Sequence, residues 1–147
     1  MSIKIYVPRD SAALAVGADE VAAALVHQAQ QRGVKIELVR NGSRGLFWLE
    51  PMVEVATPAG RVAFGPVTAE DVAGLFDAQF HSGAGGHPLY LGPTEDIAYL
   101  RHQERLTFAR MGVTDPLSLA DFEAHEGYAG LRRALATVQR IACGRLP

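Results

Sequence analysis

Ile3, Ile5 and Val7 alternate with Lys4 and Tyr6, and beyond Pro8 the hydrophobic period switches from two residues to about 3.6 and then back to two. Alternation puts the apolar side chains on one face of a half-buried strand, which Pro8 stops because it has no amide hydrogen to give a ladder. From Ala18 to Arg32, Val21, Leu25 and Ala29 share a helix face with Ala22 and Val26, with Asp19 and Glu20 near the positive end and Gly33 at the close. Val34, Ile36 and Leu38 then alternate with Lys35 and Glu37. A chain that changes period in this way is confined to an α/β fold.

Arg40–Gly45 is a turn-rich loop, and Leu46–Leu49 is an apolar run too short to classify. Met52–Ala56 and Arg61–Phe64 are short alternating runs joined by Thr57-Pro58-Ala59-Gly60, which predicts an antiparallel hairpin. Thr68 and Asp71 have the spacing of a capping box and open a helix with Val72, Leu75 and Phe76 on one face. The order is thus βαββα over residues 1–80. The glycines of His81–Pro88 predict a flexible linker over 81–88, and with it a domain boundary. Residues 89–147 read as a mostly helical segment. Thr94 is expected to cap a turn over Glu95–Leu100, Leu106–Phe108 to form a short strand in preference to a continuing helix, and Ser118 with Asp121 to open a helix. Tyr128–Ala142 supplies a last helix with Leu131, Leu135 and Val138 on its buried side.

The 147 residues suffice for one compact domain, or for one and part of another. Fourteen Lys and Arg against sixteen Asp and Glu leave a net charge of -2 and no dense basic block, so nucleic acid is not an expected partner. No stretch of about 18 apolar residues predicts a membrane span. The amino terminus lacks the basic-then-apolar pattern of a signal peptide, and a cytoplasmic location is expected. The lone Cys143 excludes an internal disulfide and any metal site built from several thiolates of this chain.

His27, His81, His87, His102 and His125 include no pair at the spacing of facing metal ligands, and they are expected to be exposed or linker residues. Gly83-Ala84-Gly85-Gly86 lacks the trailing Lys and Ser or Thr of a phosphate loop. Glu70-Asp71 and Glu95-Asp96 lie at expected helix starts, where the helix dipole accounts for them. Phe47-Trp48, directly after a glycine-rich loop, are either core plugs or an exposed contact patch. No catalytic constellation is legible.

Gly17-Ala18-Asp19-Glu20-Val21, Gly42-Ser43-Arg44-Gly45-Leu46-Phe47 and Glu50-Pro51-Met52-Val53 resemble the helix start and second ligand loop of thioredoxin-like [2Fe-2S] ferredoxin domains of NADH-dehydrogenase-type modules. In that register the four ligand positions are Pro8, Ala13, Ser43 and Phe47, none of them a cysteine. Phe47 then either fills the space of the missing cluster or faces solvent as a docking residue, while Ser43 is expected to be an exposed turn residue. Tyr90–Asp96, Gln103–Arg110, Gly112–Phe122 and Gly127–Leu135 resemble the run leading into the flavoprotein subunit, most of all the beta, or diaphorase, subunit of soluble NAD-dependent formate dehydrogenases.

The resemblance implies a cluster-free thioredoxin-like domain ahead of a flavin domain. In that family a loop binding FMN and NADH and then a C-x-x-C-x-x-C motif follow just beyond the position of residue 140. FMN, NAD and iron–sulfur clusters are therefore implied for the full-length subunit and its complex, and no cofactor for the residues of this chain. The implied partners are a small ferredoxin-like gamma subunit and a catalytic alpha subunit. The implied role is non-catalytic docking in electron transfer to NAD; the rival is a free-standing thioredoxin-like interaction module without redox activity.

Overall fold

The computed structural model of the protein describes residues 2–142. It divides into two compact units, residues 1–115 and 116–147. Within the first, β1 (Ile3–Tyr6), α1 (Ser11–Ala15), α2 (Ala18–Gln31) and β2 (Ile36–Val39) are followed by the hairpin strands β3 (Val53–Thr57) and β4 (Gly60–Phe64). Then come α3 (Asp71–Asp77), β5 (Tyr90–Pro93) and the short α4 (Ala98–Arg101). The five strands form one sheet in the order β2-β1-β3-β4-β5. β1 and β2 run parallel across the α2 crossover, and β3, β4 and β5 are antiparallel to their neighbours.

The pleat assigns the two faces of the sheet. Ile5, Val7, Val53, Val55, Val62 and Phe64 point to one face, where they bury against Val21, Leu25, Val72, Leu75 and Phe80 of the helical side. Each such side chain, fully withdrawn from water, contributes about 1.5–3 kcal/mol. Met52, Glu54, Arg61 and Ala63 take the alternate positions. This second face is not left to solvent: the segment 94–113 runs over it as a strap, with Leu100 buried against Leu46, Met52 and Ala63.

Several expected features are present. α2 buries Val21, Ala22, Leu25 and Ala29, and Gly17 enters it with a left-handed backbone. The Thr68 amide and hydroxyl both donate to Asp71 at 2.8 Å, the reciprocal half of a capping box. Ser118 accepts from the Asp121 amide at the start of α5 (Leu119–Ala124) in the second unit, where α6 spans Ala129–Ala142.

Other expectations are corrected. Residues 81–88 are not a linker between domains, because β5 pairs with β4 beyond them and the compact unit continues to Asp115. Phe80–Ser82 form a 3-10 turn with Phe80 fully buried, and His81 stacks at 5.6 Å from Phe76. Burial, with Arg32 nearby, pushes the His81 imidazole below its usual range. Leu106–Phe108 is a turn rather than a strand. Thr94 is buried with no partner for its hydroxyl, so it caps nothing. Leu131, Leu135 and Val138 are exposed rather than on a buried side of α6. Cys143 lies outside the described residues.

Candidate functional site

Two loops meet at the end of β1. Pro8 closes the strand, and Asp10 caps α1 by accepting from the Ala12 and Ala13 amides. The Arg9 amide donates to the Asn41 carbonyl at 2.9 Å, and Arg40 donates to the Val7 and Pro8 carbonyls, which ties the first loop to the loop after β2. That second loop runs through Ser43 and Arg44 to a 3-10 turn at Phe47–Leu49, then to a cis Glu50–Pro51 bond just before β3.

The four positions singled out in the sequence have different fates. Pro8 and Ala13 are buried. Ser43, expected to be an exposed turn residue, is buried instead; its hydroxyl donates to Glu50 Oε1 at 2.7 Å and accepts from the Gly45 amide. Phe47 does not plug a cavity: it is 63% exposed and Trp48 60%, because the 3-10 turn directs both outward while Leu46 takes the interior position. Trp48 meets the ring of Tyr99 edge-on at 5.1 Å.

Beside these loops lies a charged network that pattern reading missed. Arg44, almost wholly buried, donates to both Glu54 oxygens at 3.1 and 2.9 Å and to Glu95 at 2.8 Å. Burial pulls its pKa down, but Glu54 and Glu95 outweigh that and hold it above the ordinary arginine value. Arg61 lies 3.5 Å from Glu54, covers the Tyr6 ring at 3.4 Å and donates to the Gly112 and Val113 carbonyls. Asn41 donates to the same Gly112 carbonyl, and Arg105 to the Arg44 carbonyl. Gly112 has φ +75°, and a Cβ there would overlap the Arg44 side chain, so only glycine fits the strap at that point. Glu50 accepts from Ser43 and the Met52 amide, yet burial pushes its carboxyl above the usual range, with the Asp10 and Glu54 charges adding to the effect.

The only signals of this network in the sequence are single charges between apolar neighbours, such as Glu54 between Val53 and Val55. A half-buried strand has the same pattern, so the two cases cannot be separated without knowing that both faces are covered.

No protein-family model matches the chain, and no curated protein matches it. Solved structures do. A thioredoxin-like [2Fe-2S] ferredoxin from Aquifex aeolicus superposes with a TM-score of 0.54 at 19% identity, covering 66% of this chain and 96% of that one. The wild-type ferredoxin at 1.5 Å resolution gives 0.50 at 20% identity over 62% and 97%, and a serine-for-cysteine variant 0.50 at 22% over 61% and 98%. The fold is that of a thioredoxin-like [2Fe-2S] ferredoxin.

At the four positions that the resemblance gives to cluster ligands, the residues present do not fit a [2Fe-2S] cluster. Proline, alanine and phenylalanine supply no ligand, and the hydroxyl of Ser43 is already engaged by Glu50. Among the described residues no group of three or more His, Cys, Asp or Glu side chains could hold a metal ion. No helix among them is long and apolar enough to cross a membrane.

Proposed function

We propose that this chain is the amino-terminal, cofactor-free docking part of an NAD-linked oxidoreductase subunit of the formate dehydrogenase beta type. It holds a small ferredoxin-like subunit and a catalytic subunit in electron-transfer register. One observation carries the reading. The ferredoxin fold persists, yet in the loop to which the resemblance gives two cluster ligands the Ser43 hydroxyl is held by Glu50 and the Gly45 amide, while two aromatic side chains stand exposed at its rim. An exposed aromatic pair on a rigid turn suits a protein interface better than a redox centre.

Co-expression of the tagged chain with a small ferredoxin-like gamma subunit and a catalytic alpha subunit of the formate dehydrogenase type tests the assembly. Co-elution on size exclusion is expected, weakened by Trp48→Ala, and a chain that elutes alone would overturn the reading. Anaerobic reconstitution with iron and sulfide should leave the protein colourless. A visible absorption band lost on chelation would remove the cofactor-free part of the proposal.

A further inference from the structure

The strap forms an open groove of about 640 Å³, walled by Tyr99, Leu106, Phe108 and Met111. Leu106 is 84% exposed, and Tyr99 joins the groove to the Trp48 ring. Such a volume is that of a small-ligand pocket and accommodates a large apolar side chain with its neighbours.

One cation in its wall stands apart. Arg44 is neutralised by Glu54 and Glu95. Arg105, in contrast, is bonded among the described residues only to neutral acceptors, Gln103 Oε1 at 2.7 Å and the Arg44 carbonyl at 2.7 Å. Among the described residues no carboxylate lies within ion-pair distance of it. The lining carboxylate Glu104 is exposed to water, whereas the half-buried Arg105 guanidinium is held by its two hydrogen bonds. A guanidinium fixed this way retains donors that match a carboxylate fork.

We infer that this groove receives a partner segment in which a large apolar side chain is followed closely by a carboxylate. The side chain sits among Leu106, Phe108 and Met111, and the carboxylate pairs with Arg105. This deepens the docking reading by giving the chemistry of the partner's contact.

The test uses the full chain and short fluorescent peptides, with no subunit present, so that its failure is distinct from a failure of co-elution. A Phe-Asp peptide is compared with its Phe-Lys and Ala-Asp counterparts by anisotropy. The Phe-Asp peptide should bind best, and either peptide change, Arg105→Gln or Leu106→Ser should weaken binding about tenfold. Leu106 is so exposed that its variant should keep the fold, which circular dichroism checks. Equal binding of Phe-Asp and Phe-Lys, or no effect of Arg105→Gln, would overturn the inference. So would a concentration-dependent dimer dissolved by Leu106→Ser, which would make a second copy the occupant, or displacement of the peptide by anionic vesicles, which would make it a lipid surface.

Discussion

Arg44 grips Glu54 through two parallel N–H donors beneath the strap, and Glu54 is 1% exposed in the middle of the sheet. Removing one member of such a buried pair costs about 3–5 kcal/mol, because the other charge stays desolvated. Arg44→Met should therefore lower the urea midpoint steeply. Arg61, still 3.5 Å from Glu54, places the loss at the lower end of that range. Adding Glu54→Leu should restore most of the stability, since the pair's attraction is largely offset by its own desolvation. A double variant no better than the single one would show that the strap needs the charges themselves.

Leu46 and Phe47 are adjacent and opposite in fate. Leu46 is fully buried and Phe47 is not. Leu46→Ala should cost about 2–5 kcal/mol, whereas Phe47→Ala should stay within about 0.5 kcal/mol of the parent. Equilibrium unfolding of the two variants side by side checks the pair of values, and a large loss on Phe47→Ala would return that residue to the core.

Glu50 gives stability a pH dependence. Its native carboxyl holds a proton more tightly than the same group in the unfolded chain. As pH rises from the ordinary glutamate range through the raised native value, the native state binds more protons than the unfolded one, and stability falls. Above that window the contribution is level. Glu50→Gln should flatten this descent at little cost at low pH, because the amide matches the protonated carboxyl, accepting from the Met52 amide and donating to the Ser43 hydroxyl. Urea midpoints across pH should diverge between the two proteins; parallel curves would assign the dependence elsewhere.

Gly83 has φ +85°, and a Cβ on it would lie 2.7 Å from the Thr57 methyl group. Gly83→Ala should cost at least about 1 kcal/mol from backbone strain alone. It should also make residues 81–88 a site of early proteolytic cleavage, whereas the parent is expected to resist cutting there. Mass spectrometry of a limited digest reads this directly, and early cutting of the parent at 81–88 would show that the packing of Phe80 and His81 does not hold the segment.

The strands and the principal helix of the first unit were legible because each obeys one period and ends in a residue that enforces the stop, as Pro8 and Gly33 do. β5 was not, because Tyr90-Leu91-Gly92-Pro93 alternates too briefly and ends in residues that ordinarily mark a turn. The glycines of 81–88 signalled backbone freedom, but Gly83 spends it on a turn packed against Thr57 rather than on flexibility. In the candidate site, the missing thiolates and the Phe47-Trp48 pair could be read from residue types. The direction each aromatic points could not, since it depends on which of Leu46 and Phe47 the 3-10 turn sends inward. The Arg44–Glu54–Glu95 network joins residues far apart in sequence, with no local pattern to announce it.

The face beneath the strap is built around ions with few large apolar side chains, and that bears on what happens when the segment 94–113 transiently lifts. Local opening would present water with Arg44, Glu54 and Arg61, groups it hydrates readily, beside a small area from Leu46, Met52 and Ala63. A core face uncovered in the same way would offer a sticky surface to other chains. Here the opened form is wetted rather than greasy, so its excursions should end in reclosure more often than in clumping.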